Sequence, residues 1–151
     1  MPFREADFQA YGRAGSSTVR GHASSVTNDG YPVTANQYMT VYLLPQTAYT
    51  KEIVDREYRG GKPLEDPPAR SAPYIRKVRT DDHGNFVFSS VPAGDYYVSC
   101  LMLSEIPTTV TVGDDPNVAS TSTNMQWIYT SIHAANAATV DVNSWQRGEW
   151  H

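Results

Sequence analysis

The stretch TDDHGNFVFSSVPAGDYYV, residues 80–98, reads as a β-hairpin from end to end. Its first turn uses Asp81, Asp82, Gly84 and Asn85, residue types that tolerate positive φ or hydrogen-bond to their own backbone. Phe86 and Phe88 follow two positions apart, which puts both rings on one face of a strand. A second turn, Pro92, Ala93, Gly94 and Asp95, sends the chain back through Tyr96, Val98 and Cys100, alternate positions again. The segment predicts two adjacent antiparallel strands that contribute to one core.

Upstream, residues 16–26 alternate small, polar and β-branched types, with Val19, Gly21 and Ala23 on one face of a first strand. Asn28, Asp29, Gly30, Tyr31 and Pro32 form a strong turn signal. The run over residues 38–44 then places Met39, Val41 and Leu43 on one face and Tyr42 and Leu44 on the other. Residues 46–73 read as an insertion. Its first half predicts a short helix with Thr50 as N-cap, Ile53, Val54 and Tyr58 as its apolar positions, and Gly60 and Gly61 as its stop. Its second half, residues 62–73, holds four prolines and predicts an extended loop. Downstream, residues 108–112 predict a strand, residues 113–117 a turn, and residues 119–124 a flexible polar connection. Two closing strands follow. Residues 126–133 alternate Trp127, Tyr129, Ser131 and His133 against Ile128, Thr130 and Ile132, and residues 139–142 turn Val140 and Val142 inward. Short strands separated by turns, with one helix, favour a sandwich over any α/β arrangement.

The residues of the central hairpin resemble the T-D-x-x-G-x-F-x-F-x-x-V-P-x-G-x-Y-x-V segment of carboxypeptidase regulatory-like domains. Val19, Gly21, Gly30, Pro32, Val33, Val41, Leu43 and Pro45 are similar to the opening strands of that family, although Ala23 replaces an apolar β-branched residue. The resemblance implies an all-β, transthyretin-like, Ig-like Greek-key β-sandwich of seven to eight strands, with one short helix in the insertion. It divides the chain into an N-terminal extension, residues 1–15, and a single domain, residues 16–151. It also implies a non-catalytic role and an extracytoplasmic location, in the periplasm or cell envelope.

With 151 residues the chain is long enough to bury a core without disulfides or a metal. The net charge is −4 with Lys and Arg scattered, which argues against nucleic acid as a partner. No stretch approaches the roughly 20 apolar residues that a membrane span needs, and MPFREADFQA at the N-terminus lacks the apolar core of a secretory signal. The single Cys100 lies in an apolar strand pattern and reads as a small core residue.

None of the four histidines, His22, His83, His133 and His151, is paired at a metal-ligand spacing, and no cofactor is implied. His22 and His133 lie on different strands, which leaves open their convergence in space. A second resemblance carries the alternative reading of a metal-dependent enzyme. Intradiol ring-cleaving dioxygenases share a T-D-x-x-G-x-Y-x-F hairpin and hold iron by two Tyr and two His, yet the His pair that follows the hairpin in that family is missing from residues 98–103. Asp81 with Asp82, and Asp114 with Asp115, read as turn residues rather than the roughly six to eight oxygen ligands that calcium takes. No Gly-x-Ser-x-Gly elbow is present, and Gly60-Gly61-Lys62 is too short to cradle a phosphate.

The aromatic residues remain. The contact surface expected from sequence comprises Tyr49, Ile53, Tyr58 and Tyr74 on the insertion, with Trp145 and Trp150 near the C-terminus, for a protein or carbohydrate partner. An exposed strand edge offers a route to self-association.

Overall fold

The computed structural model describes residues 3–26, 32–34, 39–60, 67–112 and 115–148, and its side chains except those of residues 26, 32–34, 104–112 and 115–124. Among the described residues the chain forms an all-β sandwich with one interrupted helix. The ten strands are β1 (Ser17–His22), β2 (Ser24–Val26), β3 (Pro32–Thr34), β4 (Thr40–Pro45), β5 (Arg76–Arg79), β6 (Asn85–Val91), β7 (Gly94–Val112), β8 (Asp115–Ala134), β9 (Thr139–Val142) and β10 (Gln146–Arg147). Five of them make one sheet in the order β10-β8-β7-β4-β5, and three make the other in the order β6-β1-β9. β2 and β3 form a separate antiparallel pair.

The central hairpin is β6 and β7, but its two strands part company. Phe86 and Phe88 place β6 in the three-stranded sheet, while Tyr96, Val98 and Cys100 place β7 in the five-stranded one. Residues 92–93 are thus the corner where the chain crosses between layers. Asp81 fixes the preceding turn: its Oδ1 accepts from the backbone N–H of His83 and of Asn85, each at 2.9 Å, and Gly84 adopts φ 83°. These N–H groups, that of Asn85 first, hold the Asp81 carboxyl below its ordinary value.

Alternation builds the core, interrupted in β6 by an irregularity at Ser89 and Ser90 that brings Val91 inward after Phe88. Val41, Leu43, Tyr96, Val98, Cys100, Met102 and Ile128 of the larger sheet face Val19, Phe86, Phe88, Val91 and Val142 of the smaller one. The odd-and-even bookkeeping of residues 38–44 and 126–133 therefore holds, since Leu44 and Tyr129 sit on the opposite face. β1 pairs antiparallel with β6 and parallel with β9, so Val19 faces Val140 across the parallel ladder.

The insertion supplies the second layer of burial. α1 (Ala48–Ile53) continues as a π-helical turn, Val54–Arg59, and lays Ile53, Val54 and Tyr58 on the outer face of the five-stranded sheet against Leu44, Tyr129 and Trp127. Thr47, not Thr50, is the N-cap, in a reciprocal capping box with Thr50. Thr50 is wholly buried, and its Oγ1 also donates to the Pro45 carbonyl at 2.6 Å. The helix stops at Gly60, as expected from sequence; Gly61 lies outside the described residues.

Four further expectations are revised. The strand count is ten among the described residues rather than seven or eight. The first strand divides at Ala23 into β1 and β2. Residues 119–124 are not a loop: they belong to β8, which pairs with β7 from Gly94↔Ala134 to Val112↔Asp115 in one long ribbon. Ser- and Thr-rich sequence reads as flexible when its cross-strand partner is not in view. The proline-rich segment is also folded where it is described, as Ser71 N–H donates to the Pro68 carbonyl and Ile75 N–H to the Ser71 carbonyl, a compact turn leading into β5. The turn expected at residues 28–32 lies outside the described residues apart from Pro32, as do residues 62–66 of the loop and residues 113–114.

Candidate functional site

The residues expected to form a contact surface do not form a common one. Ile53 and Tyr58 are buried, 8% and 5% exposed, because the helix turns them onto the sheet. Tyr58 stacks on Trp127 with ring centroids 4.3 Å apart, and the Ser99 hydroxyl donates to its hydroxyl at 2.9 Å. Burial raises the Tyr58 hydroxyl well above its ordinary range. These two side chains belong to the core rather than to a recognition surface.

Tyr49 and Tyr74 meet the N-terminal segment. Residues 5–7 and 9–11 form successive 3-10 turns, which carry the fully buried Phe8 onto the insertion. Phe8 lies 6.3 Å from Tyr49 and 5.7 Å from Tyr74, Phe3 stacks on Phe8 at 4.9 Å, and the Arg70 guanidinium lies over the Phe3 ring. The Tyr74 hydroxyl donates to the Glu5 carboxylate at 2.9 Å. Trp145 packs beside Phe86 and donates from Nε1 to the His22 carbonyl. Trp150 lies outside the described residues.

The histidines are separated by the length of a strand. His22 ends β1 next to Asn85, whereas His133 lies beside Asp95 at the other end of the sandwich, by the corner at residues 92–93. Among the described residues no three His, Cys, Asp or Glu side chains gather as a metal site. No helix among them is long and apolar enough to cross a membrane.

Cys100 is fully buried in the core, and burial pushes its thiol up from the ordinary 9.0 to about 12. The native state therefore keeps a proton that the unfolded chain loses, and unfolding free energy falls by about 1.4 kcal/mol per pH unit as pH rises across that window. Above about pH 10 the raised Tyr96 and Tyr58 hydroxyls add to the slope in the same direction. Stability is thus expected to be retained below pH 9 and lost progressively above it. Urea melts at successive pH values check this: Cys100→Ser should flatten the decline between about pH 9 and 10, and an unchanged slope would contradict it.

Among the described residues a groove of about 500 Å³ lies on the open side of the sandwich. It lies where β5, the last strand of the larger sheet, approaches β6, the last strand of the smaller one. Its lining includes Tyr42, Ser71, Ile75, Arg76, Lys77, Phe88 and Ser89. The sequence places these residues by simple rules. Register sets Tyr42 opposite Lys77 and Leu43 opposite Arg76, so alternation sends Arg76 toward the three-stranded sheet and Lys77 toward the other side. The turn at residues 68–75 closes one end of the groove.

Chemically the groove combines half-buried apolar surface from Tyr42 and Ile75 with hydroxyls, two cations and the edges of two sheets. Those edges carry backbone N–H and C=O groups with no strand partner among the described residues. Sequence reading missed this site because it joins four separate segments, none with a motif of its own. The only local signal was the basic run Arg76, Lys77 and Arg79 in an acidic chain.

A second surface feature lies at the root of the β7–β8 ribbon, where the cross-strand neighbours Leu103 and Met125 are 39% and 44% exposed. They continue the face that carries Trp127.

No family model matches the chain, and no curated protein matches it. Among solved structures the chain is similar to a Pseudomonas aeruginosa protein described as a "putative carbohydrate binding protein (PA1324)", with a TM-score of 0.67 and 22% identity over 95% of this chain and 99% of that one. At that identity the likeness shows a shared β-sandwich fold over nearly the whole length of both chains.

Proposed function

We propose that this chain is a transthyretin-like sandwich of the carboxypeptidase regulatory-like kind that binds a saccharide, without catalysis, in the groove between β5 and β6. The groove itself carries the reading. Saccharide recognition needs an apolar surface for the ring face and a dense set of hydrogen-bonding groups for the hydroxyls. Tyr42 and Ile75 supply the first; the exposed Ser89 and the two strand edges supply the second. The description of the Pseudomonas aeruginosa neighbour as a "putative carbohydrate binding protein" supports the same reading. An extracytoplasmic location accords with such a ligand.

A glycan array probed with the full chain tests the function, and Ser89→Trp tests the place. Ser89 is exposed, so an indole there fills the groove without entering the core. The expected result is saccharide capture by the natural protein, reduced at least about tenfold by Ser89→Trp, the loss of a few well-made contacts. Absence of capture across the array, or capture indifferent to Ser89→Trp, would contradict the proposal.

A further inference from the structure

We infer that the saccharide this groove takes bears carboxylates, as an oligomer of uronic acids does; the inference rests on the groove being the binding site. Its basis is a local charge imbalance. The chain as a whole carries −4, yet β5 holds three cations in four positions, Arg76, Lys77 and Arg79. Among the described residues, none of the three has a carboxylate partner. Four cations elsewhere do: Arg20 lies 2.6 Å from Asp141, Lys51 2.8 Å from Asp55, Arg56 3.0 Å from Glu52 and Arg59 3.8 Å from Asp55. Arg4, Arg13, Arg70 and Arg147 also have no carboxylate partner among the described residues, but they lie scattered, whereas β5 carries three such cations in four positions beside the groove.

Arg76 adds a second observation. Its guanidinium makes one hydrogen bond, from Nη2 to the Arg13 carbonyl at 3.0 Å, and its Nε is buried with no acceptor. An unsatisfied buried donor costs free energy, so swinging the side chain onto a ligand carboxylate relieves that cost while forming a charge-assisted pair. The planar fork of Arg suits a carboxylate held by two bonds, and Lys77 supplies a movable point charge on the other lip of the groove. Arg79, two residues along the same side as Lys77, extends the cationic track to a further sugar unit. Charged side chains also protect a free strand edge from pairing with another chain. That role needs no particular ligand charge, and the two are separable.

Calorimetric titration of the full chain with hexagalacturonate, with the same oligomer after reduction of its carboxyl groups, and with hexaglutamate tests the inference. The acidic saccharide is expected to bind about tenfold or more tightly than its carboxyl-reduced form, and to weaken between about 50 and 500 mM NaCl. Arg76→Gln and Lys77→Gln should each remove much of that difference. Equal affinity for the two saccharides would overturn the carboxylate inference and leave the groove reading standing. Hexaglutamate binding as tightly as hexagalacturonate would overturn it in favour of acidic peptide. Absence of binding by either saccharide would overturn both readings. The comparison of the two saccharides uses the natural protein, so it does not depend on how well the variants fold.

Discussion

Phe8→Ala is expected to lower the unfolding free energy by about 3–5 kcal/mol, the range for removing a buried aromatic ring. Phe8 has no exposed surface and touches three other rings, Phe3, Tyr49 and Tyr74, so little nearby can collapse into the space it leaves. For a domain whose total stability is on the order of 5–15 kcal/mol, that is a large share. The effect should appear as a lower urea midpoint with an unchanged slope. A loss below about 1 kcal/mol would mean that the N-terminal segment is an appendage and that the burial of Phe8 contributes little. Because the cluster also holds residues 69–74, which lead into β5, the variant should bind saccharide more weakly as well.

Tyr58→Ala is expected to cost a similar amount, about 3–5 kcal/mol, with a different functional signature. The ring is stacked on Trp127, the hydroxyl accepts from the buried Ser99, and the adjacent Arg59 Nε donates to the Tyr129 hydroxyl at 3.2 Å. Removing the ring leaves a cavity between helix and sheet and an unpartnered Ser99 hydroxyl. Tyr58→Phe, which keeps the ring, should cost only about 1 kcal/mol. Tyr58 is not a lining residue of the groove, and Tyr58→Phe keeps the ring in the cluster against which Tyr42 and Ile75 pack, so saccharide affinity of Tyr58→Phe should stay within about twofold. Loss of affinity with little loss of stability would return the insertion to the role of a contact surface.

These two variants mark where sequence reading and structure diverge. Alternation was legible because it is local: Phe86 with Phe88, Val41 with Leu43, and Ile128 against Tyr129 all declare their faces within a few residues. The helix is legible too, from Ile53, Val54 and Tyr58, but sequence alone puts Ile53 and Tyr58 on a contact surface because nothing in it says that a sheet already occupies their apolar face. Phe3 and Phe8 were set aside with an N-terminal extension for a related reason. Their partners, Tyr49 and Tyr74, lie far along the chain, and burial by distant residues leaves no periodic trace. The ribbon of β7 and β8 is hidden by Ser120, Thr121, Ser122 and Thr123, residue types that suit a loop as well as a strand. Gly148 illustrates the same limit at a single position. Its N–H donates to the Trp127 carbonyl at 2.9 Å, and a Cβ there would lie 2.2 Å from the Tyr58 carbonyl oxygen, a closeness between three segments that no local pattern announces. The groove belongs to this class of feature, being made wherever two sheets of unequal width leave their last strands side by side.

Backbone amide NMR of the full chain during titration with hexagalacturonate tests the central claim most directly. The account predicts saturable shifts at Arg76, Lys77, Val78 and Arg79 and at Phe88 and Ser89, with Leu103, Met125 and the helix amides of Ala48–Ile53 unmoved. Shifts centred on the face of Trp127, Leu103 and Met125, or none at any residue, would contradict it.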